Sequence, residues 1–182
     1  MNLGHFKLKN MSTNTTETTA EDLLKLSVKI AISNWELQNT RLSGLLDKLT
    51  DEQLLAQTAP GRNSGIYLLG HLIAVSDGMF TFLELGEGLY PHLDHIFIKN
   101  PDTSGIEKPT AAELRECWNK VNILLKQKMD SMKPADWFVK HSAISAEDFE
   151  KEPHRNKLNI LINRTNHQSY HMGQLTYLSN KA

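Results

Sequence analysis

With 182 residues, 40% hydrophobic and 23% charged, the chain can bury one substantial core and has an ordinary globular balance. A formal net charge of −1 and a pI of about 6.7 leave no basic surplus to neutralise phosphates, which argues against nucleic-acid binding. A single cysteine, Cys117, excludes an intrachain disulfide. No apolar run reaches the roughly 20 residues of a membrane span, and none forms a secretory leader, so a cytoplasmic protein away from membranes is expected.

Residues 1–17 read as a disordered tail: Ser12-Thr13-Asn14-Thr15-Thr16 has no apolar surface to bury, and either Met1 or Met11 serves as a start. A domain over residues 18–182 follows. The first helix is expected from Thr18, whose spacing to Glu21 matches a capping box. Leu24, Val28, Ala31, Trp35, Leu42, Leu45 and Leu49 then recur at helical intervals, and Gln38 interrupts that stripe as a bundle-edge or site residue. Thr50-Asp51-Glu52-Gln53 caps a short helical turn, and Ala59-Pro60-Gly61-Arg62-Asn63 reads as a turn.

A second helix is predicted from Ser64 to Leu85, ahead of Gly86 and Gly88. At about 100° per residue, Ser64, Tyr67, Val75, Gly78, Phe82 and Leu85 fall within about 40° of His71. His71 therefore points inward, with Ser64 and Gly78 leaving room around it. The link over 87–109, rich in turn residues, shows no helical period, and its His92 and His95 read as polar loop residues. Thr110-Ala111-Ala112-Glu113 is a capping box opening a third helix, with Leu114, Trp118, Val121, Leu125 and Met132 inward and Lys133-Pro134 as its stop. Cys117 on this helix reads as a small core filler, since no histidine or helix-end charge marks it as reactive. Short turns are expected at 135–138 and 145–148.

The fourth helix is expected from Pro153 to Leu178, its basic start (Lys151, His154, Arg155, Lys157) reading as a solvated face. On it, Ile160, Asn163, His171, Gln174 and Leu178 lie within about 40° of His167. A polar band on a line that is apolar at both ends needs partners, because burying unpaired polar groups costs several kcal/mol. Two histidines at i, i+4 on one helix face can take two positions around one metal ion.

Four inward-facing helices imply an all-α four-helix bundle. If His71 meets His167 and His171, helices two and four are antiparallel and the order is up-down-down-up. That order needs a long crossover between helices two and three. A helix of about 22 residues spans about 33 Å, and the link offers a similar number of residues at about 3.3 Å each, so it reaches. Three imidazoles would leave a position open for water or substrate and would suit zinc, nickel or iron. Asn163, Gln174 and Tyr67 are candidates for hydrogen bonds behind the ligands or for substrate contacts. Three core histidines tied to carbonyls remain the competing reading of the same residues.

The segment Asn166-His167-Gln168-Ser169-Tyr170-His171-Met172-Gly173-Gln174-Leu175 resembles the last-helix signature of the DinB-like superfamily, Asn-His-x-x-x-His-x-Gly-Gln-Leu. Ser64-Gly65-Ile66-Tyr67-Leu68-Leu69-Gly70-His71-Leu72 resembles its second-helix element. The resemblance implies an up-down-down-up bundle, metal ligands at His71, His167 and His171, and frequent homodimers. It also implies activities such as low-molecular-weight-thiol transfer, thiol-dependent isomerisation or metal-dependent hydrolysis. Many members carry Glu after the first histidine of the pair; here Gln168 stands there, and an amide is no general base. By rotation Gln168 also lies off the core face.

The expectation is thus a metal-dependent enzyme acting on a small molecule, foremost a thiol S-transferase for small electrophiles. Trp35, Tyr67 and Phe82 are possible apolar pocket walls. A hydrolase using metal-activated water and a non-enzymatic stress-response or binding protein with a vestigial site are the alternatives.

Overall fold

Six of the seven α-helix starts among the described residues are written by a Ser, Thr or Asn side chain that accepts a hydrogen bond from the backbone N–H three residues on. A computed structural model describes residues 18–179, and within them the chain forms seven α-helices. These are α1 (Ala20–Leu46), α2 (Asp51–Leu55), α3 (Gly65–Phe82), α4 (Leu93–Phe97), α5 (Ala111–Asp130), α6 (Ala146–Lys151) and α7 (Lys157–Leu175). Short 3-10 turns occupy Asp102–Ser104, Pro134–Phe138 and Thr176–Leu178. No β-strand forms among the described residues, which fits the all-α expectation. The expected tail over 1–17 and the choice between Met1 and Met11 lie outside the described residues.

The caps at Thr50 and Thr110 form as expected, each with its reciprocal Gln53 or Glu113. The cap of α1 is shifted by one residue: Thr19 Oγ1 accepts from the Asp22 N–H at 3.1 Å, and Asp22 Oδ2 accepts from the Thr19 N–H at 3.1 Å. Two overlapping frames, Thr18 to Glu21 and Thr19 to Asp22, compete there, and the second wins. The last helix starts at Lys157 rather than near Pro153, because Asn156 Oδ1 caps the Asn159 N–H at 3.0 Å. Its regular α-helix ends at Leu175, and the chain reaches Leu178 as a 3-10 turn.

Helix α3 is the centre of the packing: it lies against α5, α7 and α4, and α1 lies against α7. Thirteen of its residues are buried, among them Leu68, Leu69, Leu72, Ile73, Met79 and Phe80. The link 87–109 is not the loop that its sequence suggested. It holds α4, with Leu93 and Phe97 fully buried, so His92 and His95 sit at the start and in the body of a short helix. Gly70 makes this possible, since a Cβ there would collide with the Phe97 ring. Asp77 then pins the chain after α3: its buried carboxylate accepts from the Leu89 and Tyr90 N–H groups at 2.7 and 3.0 Å.

Contacts at the helix ends set the relative placement of the long elements. The start of α3 meets the turn after α7, where Gly65 lies under Leu178. The segment after α3 meets the start of α7 through Glu84 and Lys157 at 2.6 Å. Trp118 Nε1 donates to Ser43 Oγ at 3.0 Å, Arg115 donates to the Leu46 and Leu49 carbonyls, and Lys126 pairs with Glu36 at 3.0 Å. Buried Trp35, Trp118 and Trp137 complete the core beneath these contacts.

Candidate metal centre

Two helices bring three imidazoles to one point. His71, in the first half of α3, places Nε2 3.3 Å from Nε2 of His167 on α7. One turn further along α7, His171 places Nε2 3.0 Å from the same atom. One ring nitrogen from each of the three lies within 4.8 Å of the others.

The far nitrogens decide what the near ones can do. His71 Nδ1 faces the Phe97 carbonyl at 2.9 Å. A carbonyl only accepts, so Nδ1 carries the proton and Nε2 of the neutral ring presents a lone pair. His171 Nδ1 faces Gln174 Oε1 at 2.7 Å, with the same consequence. His167 Nδ1 is buried without a hydrogen-bond partner among the described residues. Burial pushes His167 down to about 4, helped by the charges His171, His71 and Arg164 would place beside it. Burial also lowers His171, against the opposing bond to Gln174. Both are therefore neutral near pH 7, the form that ligates a metal.

A cluster without a cation does not resolve its own electrostatics. His71 and His171 hold their protons on the outside, so only His167 has one to give. It can serve one neighbour, and the Nε2 lone pair of the other faces a nitrogen with no hydrogen left to donate. A shared cation removes the conflict. Nitrogens about 2.0–2.1 Å from one ion lie about 2.9 Å apart at right angles and about 3.4 Å apart in a tetrahedron. The observed 3.0 and 3.3 Å separations fall in that window. The residues present thus fit a divalent metal, which His71, His167 and His171 would hold.

The other expected site residues divide. Gln174 stands behind His171 as anticipated. Tyr67 is buried, stacks on His71 with ring planes 8° apart, and donates its OH to the Asn100 carbonyl at 2.7 Å. It holds the imidazole in place and does not present its hydroxyl to a substrate. Asn163 is exposed, and its Nδ2 donates to Asn159 Oδ1 at 2.6 Å, so it does not face inward as the rotation predicted. Gln168 corrects the rotation in the opposite sense: it is buried, on the core line with Leu158, Leu161, Thr165 and Leu175. Ser64 caps α3 and donates its N–H to Asp102 Oδ2 at 2.7 Å, and does not widen the space at His71.

A cavity of about 480 Å³ opens beside the histidines, walled by His71, His167, Val75, Gly78, Phe82 and Ile98. Gly78 and Phe82 therefore line it as expected, whereas Trp35 faces a separate groove toward α5. Two charged residues that sequence reasoning missed, Arg164 and Asp94, also line this cavity. Asp94 pairs with Lys99 at 2.7 Å. Arg164 stood in the sequence one turn ahead of His167, which was the available signal. Cys117 lies half-buried on α5, and burial pushes its thiol up, as befits a packing residue.

The search of curated proteins returned no match. The family model described as the DinB superfamily matches residues 34–175, a span that includes all three histidines and their supports Tyr67, Phe97 and Gln174. With most of its length covered by that match, the chain belongs to the DinB superfamily.

Proposed function

We propose that this protein is a metal-dependent enzyme that transfers a low-molecular-weight thiol to a small electrophile. The observation that carries the reading is the convergence of three imidazoles whose outer nitrogens are occupied at His71 and His171, in a group that contains no carboxylate. A bound divalent metal (zinc, nickel or iron) supplies Lewis acidity that makes a thiol or water more acidic. The chain's own contribution is placement. Phe97 and Gln174 orient two ligands, Tyr67 stacks on one, and Val75, Phe82 and Ile98 give the cavity an apolar side. In the transfer the thiol loses its proton to solvent, its sulfur bonds to the electrophilic carbon, and the leaving group departs with its electron pair.

The same reading includes an up-down-down-up four-helix bundle of α1, α3, α5 and α7. It is supported by the end-to-end meeting of α3 with α7, and by the α1–α5 contacts Ser43–Trp118 and Glu36–Lys126. It also includes a cytoplasmic homodimer, in line with the single cysteine and the resemblance described above.

The experiment is a conjugation screen with purified, metal-loaded protein, small thiols and a chromogenic electrophile. Thiol-dependent turnover that disappears on metal removal and in His171→Ala is expected. Turnover that persists in metal-free protein contradicts the reading. Turnover of ester substrates without added thiol moves the assignment to a hydrolase.

A further inference from the structure

Arg164 is the one cationic side chain among those walling the cavity beside the histidines. It sits one helical turn before His167, a spacing that puts the two side chains on neighbouring positions of α7. Its Nε is buried and makes no hydrogen bond among the described residues. Its guanidinium carbon lies 5.5 Å from the centre of the Phe82 ring, which holds the group against the cavity wall. Burial pushes the guanidinium below its ordinary range with no carboxylate counteracting that effect. Asp94, on the same wall, is engaged by Lys99. A half-buried guanidinium without a carboxylate partner is placed to take an anion, and its planar fork pairs with carboxylates as well as phosphates.

Building on the metal-dependent reading above, we propose that the cavity takes a small carboxylate-bearing ligand, with its carboxylate on Arg164 and its other end at the three histidines. The ligand is short, since Arg164 and His167 are only one turn apart. A thiol carboxylate of two or three carbons between the groups has the right polarity: a soft donor at one end and an anion at the other.

The test uses the zinc-loaded full chain and calorimetric titration with 3-mercaptopropionate, its methyl ester and 3-hydroxypropionate. The acid is expected to bind at least tenfold more tightly than the ester. Arg164→Gln is expected to abolish that preference while zinc content stays at the wild-type level, and Arg164→Lys to restore part of it. Equal binding of acid and ester by the wild type, including no binding of either, overturns the proposal without recourse to any variant. So does an acid preference that survives in Arg164→Gln, because the carboxylate is then held elsewhere. If 3-hydroxypropionate binds as tightly as the thiol acid, the thiol reading fails while the anion site stands.

Discussion

The Nδ1–H of His71 donates to the carbonyl of Phe97 across 2.9 Å, joining the candidate metal centre to a five-residue helix in the link after α3. That bond exists because Gly70, the residue before His71, lets the Phe97 ring lie directly against α3. Local backbone clearance thus sets the proton position on a candidate metal ligand. Gly70→Ala is expected to destabilise the fold by about 1–3 kcal/mol through overpacking. It is also expected to weaken metal binding by releasing His71 from its acceptor. Urea denaturation and a metal-competition titration check the two effects, and wild-type affinity in this variant would separate α4 from the site.

Gln174 holds His171 from behind at 2.7 Å. Removing an outer hydrogen-bond partner of a metal-ligating histidine costs roughly 10–100-fold in affinity. Gln174→Ala should fall in that range with unchanged helicity, as read by competition with a chromophoric chelator.

The pH dependence of the metal-free protein follows from the histidines' burial. The folded state holds His167 at about 4, against an ordinary value of 6.5, and shifts His171 in the same direction. Between those values the unfolded chain binds more protons than the folded one, so stability rises with pH there. The contribution is complete above about 6.5 and is lost as pH falls toward about 4. Denaturation midpoints of metal-free protein at pH 7, 5.5 and 4.5 should decline, and His167→Ala should flatten the decline. A pH-independent midpoint over this range would contradict the assignment.

Gln168 is buried in the core of α7, not beside the metal cavity. Restoring the acid by Gln168→Glu should therefore not create a general base. It should lower stability at pH 7 by about 1–3 kcal/mol, the cost of burying an ionisable carboxyl where the neutral amide, its Nε2 already without a partner among the described residues, now stands, and leave hydrolysis at the wild-type rate. A gain in hydrolytic rate would show that position 168 reaches the substrate.

Much of this arrangement was legible in the residues. The capping boxes at Thr50 and Thr110 fixed two helix starts, and the histidines converged as their faces suggested. The rotation of α7 was less legible for a definite reason. Leu178 anchored the supposed core line, but it lies in a 3-10 turn beyond the end of α7, where about 100° per residue no longer applies. The histidine face is the edge of the core along a cavity, so Asn163 falls outward and Gln168 inward. Helix α4 was missed because one turn of helix shows no repeat. Its only trace is the i, i+3, i+4 trio Leu93, Ile96 and Phe97 among turn residues.

The most direct test of the metal centre is elemental analysis of the purified full chain, with circular dichroism to verify folding. The wild type should carry one equivalent of zinc, nickel or iron per chain, and His71→Ala, His167→Ala and His171→Ala should each remain helical while losing most of it. Wild-type protein that stays free of these metals after loading, or metal content unchanged in the three variants, would contradict a site built from these histidines.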